Sequence, residues 1–157
     1  MQTEPAPVAD NPWSRAHDIV WRQSPVPAGI HAEIRTVVEG VMRSIVRGER
    51  GCSIVHSDLC GNVLFHDSLP PLVIDFSPMK APVAYAHAIL VADAIAWEGA
   101  PLDLIDILPA GAERAANLFR AVAFRLLVAA QFFRDDPAKF RIEYVPFHAL
   151  LKHLSAQ

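Results

Sequence analysis

The sequence predicts a mainly α-helical fold of the α+β class, in which a few short hairpin-like strands are set among helices. Three observations lead there. The chain has 157 residues, 52% of them hydrophobic and 20% charged, which suits one domain with a proper core and argues against disorder. Apolar residues recur at helical spacing before residue 48 and again after residue 82. Between these regions the pattern changes to short β-branched or apolar runs separated by turn-like residues.

Taken in order, residues 1–29 read as a proline-rich lead-in containing one short helix, PWSRAHDIVWRQ, and residues 30–157 as the folded lobe. From Ile30 to Arg47 the residues Ile30, Ile34, Val37, Val38, Val41, Met42 and Ile45 form an amphipathic helical stripe that stops at Gly48 and Gly51. The runs SIVH, NVLF and LVID then read as strands, separated by the turn-like DLCG and HDSLPP. After Pro82, helical segments are expected at 83–98, 101–108, 111–134 and 137–153, punctuated by Pro101, Gly111, Pro137 and Pro146. The segments 83–98 and 111–134 are apolar almost all round and should be central.

Chemistry is concentrated between Cys52 and Phe76. Strand, loop, strand, turn and strand there deliver His56, Asp58 and Asn62, and then Asp75 after an apolar run. Two carboxylates and a carboxamide form an oxygen-rich set of the kind a hard cation such as Mg²⁺ prefers, with water and substrate phosphates completing the shell. Such a set suits phosphoryl transfer, where the protein contributes mainly positioning and charge neutralisation.

At these residues the sequence resembles the C-terminal lobe of the aminoglycoside phosphotransferase family, small-molecule kinases of protein-kinase-like fold. The family's catalytic loop is similar to His56-Ser57-Asp58-Leu59-Cys60-Gly61-Asn62, and its metal motif to Val73-Ile74-Asp75-Phe76; the likeness covers roughly residues 30 to 135. The resemblance implies that Asp58 orients or deprotonates an acceptor hydroxyl, that Asn62 and Asp75 hold Mg²⁺, and that His56 braces the loop. It further implies ATP or GTP as donor and a small-molecule hydroxyl compound as acceptor. The helix over 30–47 becomes the long helix ahead of the catalytic loop, and Asp93 a candidate to tie down that loop's backbone. Ser57 stands where the family has Gly, and the gap from Asp58 to Asn62 is one residue shorter than usual.

The family's nucleotide lobe has no counterpart in this sequence. Its lysines, Lys80, Lys139 and Lys152, all follow the catalytic loop, and no glycine pattern before His56 resembles a phosphate-covering loop. The expectation is a C-terminal lobe alone, completed by an N-terminal lobe from a partner chain, or else a catalytically inactive remnant acting as a binding or oligomerisation module.

Other classes are disfavoured. Fourteen basic against seventeen acidic residues, with no basic cluster, argue against nucleic acid. The oiliest runs are broken by Asp93 and Arg125, so no membrane span is expected, and the acidic start MQTEPAPVAD lacks the features of a signal peptide. Two cysteines, Cys52 and Cys60, fit a reducing, cytoplasmic setting, and their spacing lacks the pairing of a zinc site. Asp93, inside an apolar helix, should meet donors or lie on an exposed seam. Arg114, Arg120 and Arg125 read as a solvated face, and Trp13, Trp21 and Trp97 as core or lobe-interface residues.

Overall fold

The computed structural model describes residues 10–45 and 53–156. It is rich in α-helix, with a few short antiparallel strands, and so belongs to the expected α+β class. Helix α1 spans Pro12–Arg22 and opens on a reciprocal cap. The Ser14 N–H donates to Asn11 Oδ1 at 2.9 Å, and the Asn11 N–H donates back to Ser14 Oγ at 3.1 Å. Pro12 at the first position costs nothing there, because its missing N–H would have had no helical partner. Ala16, His17, Ile19 and Val20 are buried, so α1 packs into the same core as the helices that follow.

Helix α2, Ala32–Met42, is shorter than the stripe over 30–47 predicts. Its buried residues Ile34, Val38 and Val41 follow the expected spacing. At its end the N–H groups of Ser44 and Ile45 bond back three residues, to Val41 and Met42, and that tightening ends the helix. The stop signals at Gly48 and Gly51 lie outside the described residues.

The two nearly all-apolar helices are central, as expected. Helix α3, Val83–Trp97, and helix α4, Ala112–Phe132, pack on each other, and α4 also receives α1 and α2. Leu118, Val122, Phe124, Leu126 and Leu127 of α4 are wholly buried. Truncating such a leucine to alanine removes about 2–5 kcal/mol of stability, since the cavity closes only in part. Helix α4 is long and apolar enough to cross a membrane by composition, but 72% of that stretch is buried inside the fold, the pattern of a core helix.

The segment expected as a helix over 101–108 is a 3-10 turn, Leu102–Ile107. The segment over 137–153 is split into α5, Pro137–Tyr144, and α6, His148–Ser155, by a 3-10 turn holding Pro146, which has no N–H for the helical ladder.

The strands form two separate antiparallel pairs. β1, Ser53–His56, pairs with β4, Pro78–Ala81; β2, Val63–His66, pairs with β3, Leu69–Val73, in a hairpin turning at Asp67 and Ser68. Two details differ from the sequence reading. Leu69, Pro70 and Pro71 belong to β3 rather than to a turn, and the pairing register shifts opposite the two prolines, between Leu64 and His66, as fits residues that have no N–H for the ladder. The LVID run accordingly ends its strand at Val73, before Asp75, and β4 is an additional strand.

Candidate functional site

The loop from Ser57 to Asn62 leaves β1 and re-enters at β2, and hydrogen bonds fix most of its residues. Ser57 is buried; both its N–H and its hydroxyl donate to the Ser77 carbonyl, at 2.9 and 3.1 Å. A glycine there would keep only the first bond, so the serine adds a tie between the loop and the entry to β4. The Asp58 N–H donates to His56 Nδ1 at 3.1 Å. Nδ1 is therefore an acceptor, which puts the ring proton on Nε2, and Nε2 is buried with no hydrogen-bond partner among the described residues. The same ring meets Phe76 edge-on with centroids 5.4 Å apart.

The loop then reverses. Asn62 N–H donates to the Leu59 carbonyl at 3.0 Å, and Gly61 adopts φ +76°, which favours glycine even though a side chain there would meet no neighbour among the described residues. The Asn62 amide donates from Nδ2 to the Asp58 carbonyl at 2.7 Å, closing the short loop across its base and leaving Oδ1 as the amide's acceptor. The Ile74 N–H bonds to the Asn62 carbonyl at 3.0 Å, so Asn62 and Asp75 sit at the same end of the hairpin. Asp75 itself has φ +48°, a left-handed conformation that aspartate tolerates better than most residues.

Beneath the loop lies a buried charge network. Asp93 of α3 is fully buried, and Arg125 of α4 grips it with two bonds, Nε to Oδ1 at 3.0 Å and Nη2 to Oδ2 at 2.5 Å. The same Nη2 donates to the Ser57 carbonyl at 3.2 Å and to Asp58 Oδ1 at 2.8 Å. Arg125 thus ties the two central helices to the loop and holds one oxygen of Asp58, whose side chain remains 36% exposed. Burial pushes the Asp93 carboxyl above its usual range, with the Arg125 bonds opposing it. For Arg125, burial works against the charge, but the bonds to Asp93 and Asp58 prevail and hold the guanidinium above its ordinary value.

The solvated-face reading of Arg120 and Arg125 is corrected here, because both are buried. Arg120 donates to Asn117 Oδ1 at 3.0 Å and stacks over Trp21, its guanidinium carbon 4.7 Å from the ring centroid. Arg114, at the start of α4, bonds Asp106 at 2.9 Å near the surface. Trp21 is partly buried against the core, while Trp13 and Trp97 are 42% and 43% exposed. Asp93 does meet donors, though its tie to the 57–62 loop runs through Arg125 and not directly to the backbone. Arg125 is the residue the sequence reading missed. Its signal was present: a single arginine inside AVAFRLLVAAQFF and a single aspartate inside AHAILVADAIAW are two buried charges of opposite sign, each needing the other.

Asp58 and Asp75 line one open cleft of about 890 Å³. One wall is α1, through residues such as Ser14, His17, Asp18 and Arg22; the other is the β1–β4 pair, through Ile54, Pro78 and Lys80. Asn62 stands at the hairpin base rather than on the cleft wall, and His56 lies behind the loop. The structure thus brings Asp58 and Asp75 into one space and places Asn62 and His56 as residues that hold the loop.

The donor set fits Mg²⁺ in kind. Asp75 has an exposed carboxylate and Asn62 an amide oxygen not used by the loop, and both are hard oxygen donors. Zinc fits less well. Among the described residues no three His, Cys, Asp or Glu side chains gather as a metal site, and burial, reinforced by Asp93 and Glu98, raises the Cys60 thiol above its ordinary value, which disfavours the thiolate. Cys52 lies outside the described residues.

Compared with known proteins, the chain matches no family model, no curated protein and no solved structure.

Proposed function

We propose that the chain is the catalytic lobe of a phosphotransferase that moves the γ-phosphoryl group of ATP or GTP to a hydroxyl of a small molecule, when completed by an N-terminal lobe. The observation that carries this reading is the presence of Asp58 and Asp75 in one open cleft, with one oxygen of Asp58 anchored by the buried Arg125 and the rest of the carboxylate open to solvent. The order and spacing of His56, Asp58, Asn62 and Asp75 support it, as does the hydrogen-bonded rigidity of the loop.

In this reading Asp58 accepts a hydrogen bond from the acceptor hydroxyl and takes its proton as the hydroxyl oxygen bonds to the γ-phosphorus. The bond from that phosphorus to the β–γ bridging oxygen breaks, and a nucleoside diphosphate leaves. Arg125 keeps the Asp58 carboxylate at a fixed angle, so alignment is set before substrate arrives. Asp75, with the amide oxygen of Asn62, would hold Mg²⁺, which supplies charge neutralisation on the phosphates. His56 braces the loop by accepting the Asp58 N–H. This chemistry belongs in the cytoplasm, where nucleoside triphosphates are held.

A thermal-shift titration with MgATP and MgGTP, run beside Asp75→Ala, tests the reading. A saturable upward shift lost in the variant is expected; a stable fold with no shift for either nucleotide contradicts it.

A second reading has its own support. Leu64, Phe65, Leu69, Leu72, Val73 and Phe76 are all about half exposed or more on or beside the β2–β3 hairpin, an apolar surface of the kind that marks association. A catalytically inactive lobe serving as a binding or oligomerisation module, through a second copy or another chain, would use it. Sedimentation of the purified chain as a monomer across the micromolar range argues against self-association.

A further inference from the structure

The cleft carries two cations whose side chains meet no partner among the described residues. Arg22 closes α1 and Lys80 lies in β4, and both line the space that holds Asp58 and Asp75. Among the described residues every arginine except Arg22 and Arg43 makes a side-chain ion pair or hydrogen bond to the protein. Among the described residues Arg22 and Lys80 make neither, although three carboxylates, Asp18, Asp58 and Asp75, line the same cleft.

The local geometry explains why both point there. On β4, Met79 and Ala81 are buried while Pro78 and Lys80 are exposed, and Lys80 stands across the strand pair from Ile54, which lines the same cleft. On α1, Ser14, Asp18 and Arg22 follow one another at four-residue spacing along the face that lines the cleft, with Arg22 at the end nearest the helix C-terminus.

We propose that Arg22 and Lys80 form a two-sided clamp for a phosphoanhydride chain, one cation from each wall of the cleft. The proposal rests on the phosphotransferase reading of Asp58 and Asp75 and deepens it. The chain then supplies phosphate-neutralising charge from its own helix and strand. Arginine offers a planar fork to phosphate oxygens and lysine a mobile point charge, and the pair offsets the carboxylates that would otherwise repel the ligand. Recognition of this kind reads the phosphates and not the base. Inorganic tripolyphosphate, ATP and GTP should therefore bind with similar affinity.

The test is isothermal titration of tripolyphosphate, ATP and GTP, with and without Mg²⁺, into the wild-type chain, Arg22→Gln, Lys80→Gln, the double variant, Asp75→Ala and a remote control, Lys152→Gln. Arg22 and Lys80 are exposed, so the substitutions leave the fold intact. Each cleft substitution should weaken all three ligands about tenfold, and the control should not change them. Binding that is unaffected by the cleft substitutions, or weakened equally by Lys152→Gln, overturns the clamp. Mg²⁺ enhancement lost in Asp75→Ala while the double variant binds normally overturns the clamp and leaves the phosphotransferase reading standing. Clamp-dependent binding with no Mg²⁺ enhancement in the wild type does the reverse. Tight ATP binding without tripolyphosphate binding contradicts phosphate-only recognition.

Discussion

The loop that carries Asp58 has a different kind of support on each side. Below it, Asp93 and Arg125 are buried between α3 and α4, and Arg125 reaches the loop through two hydrogen-bond acceptors, the Ser57 carbonyl and Asp58 Oδ1. Beyond it, the β2–β3 hairpin turns a row of large apolar residues to solvent, with Phe65 80% exposed. The difference teaches that position and association are separated in this molecule. The carboxylate is fixed by a buried polar network that tolerates little change, while the hairpin offers a surface whose residues contribute little to the fold of the chain itself.

Breaking the network should have the largest effect. Arg125→Met strands the fully buried Asp93 without its partner and should cost about 3–5 kcal/mol, read as a lowered urea midpoint. The double substitution Asp93→Leu with Arg125→Met should recover much of that loss, because the cost lies in the uncompensated charge and not in the absent pair. A double variant no more stable than Arg125→Met would show that Asp93 was not the source of the loss.

A smaller effect is expected where the loop meets β4. Ser57→Ala removes one of two bonds to the Ser77 carbonyl and should cost about 1 kcal/mol, since the backbone bond keeps that oxygen satisfied. Chemical denaturation at neutral pH measures it.

On the hairpin the comparison predicts almost nothing for the isolated chain. Leu64→Ser with Phe65→Ser should change unfolding free energy by no more than about 0.5 kcal/mol per site, because both side chains are exposed. If the hairpin docks on a second copy, the same pair should raise the dissociation constant measured by sedimentation. A loss of several kcal/mol from the monomer would place the hairpin in the core and erase the contrast.

Cys60 gives the mildest probe. Burial raises its thiol above the ordinary value, with Asp93 and Glu98 adding to the effect, so less thiolate is present at any given pH. Alkylation of Cys60 followed by site-resolved mass spectrometry should show a rate midpoint displaced to higher pH than a free cysteine. A midpoint at or below that of free cysteine would show the loop more open than described.

Much of this was legible in the sequence because helical periodicity and burial share one cause. Ile34, Val38 and Val41 were marked by spacing, and α3 and α4 by being apolar all round. Asp93 was readable as a charge in need of donors. Its partner was not identified because the two lie 32 residues apart and meet only when α3 packs on α4. The strand β4 escaped because Pro78-Met79-Lys80-Ala81 has no strong strand propensity of its own; its extended form comes from pairing with β1. Asp58 and Asp75 were picked out by motif, but the wall that α1 builds opposite them is a tertiary fact, since α1 lies in a segment that reads as a lead-in.

The central claim is that Asp75 and Asn62 hold a divalent cation beside the anchored Asp58. Titration of the isotope-labelled chain with Mn²⁺ in the presence of ATP, followed by two-dimensional amide NMR, tests it directly through paramagnetic broadening. The account predicts selective loss of signals around Asn62, Asp75 and the 57–62 loop at sub-stoichiometric Mn²⁺, abolished in Asp75→Ala, with α5 and α6 unaffected. Broadening spread evenly over surface carboxylates, or centred elsewhere and unchanged in Asp75→Ala, would contradict it.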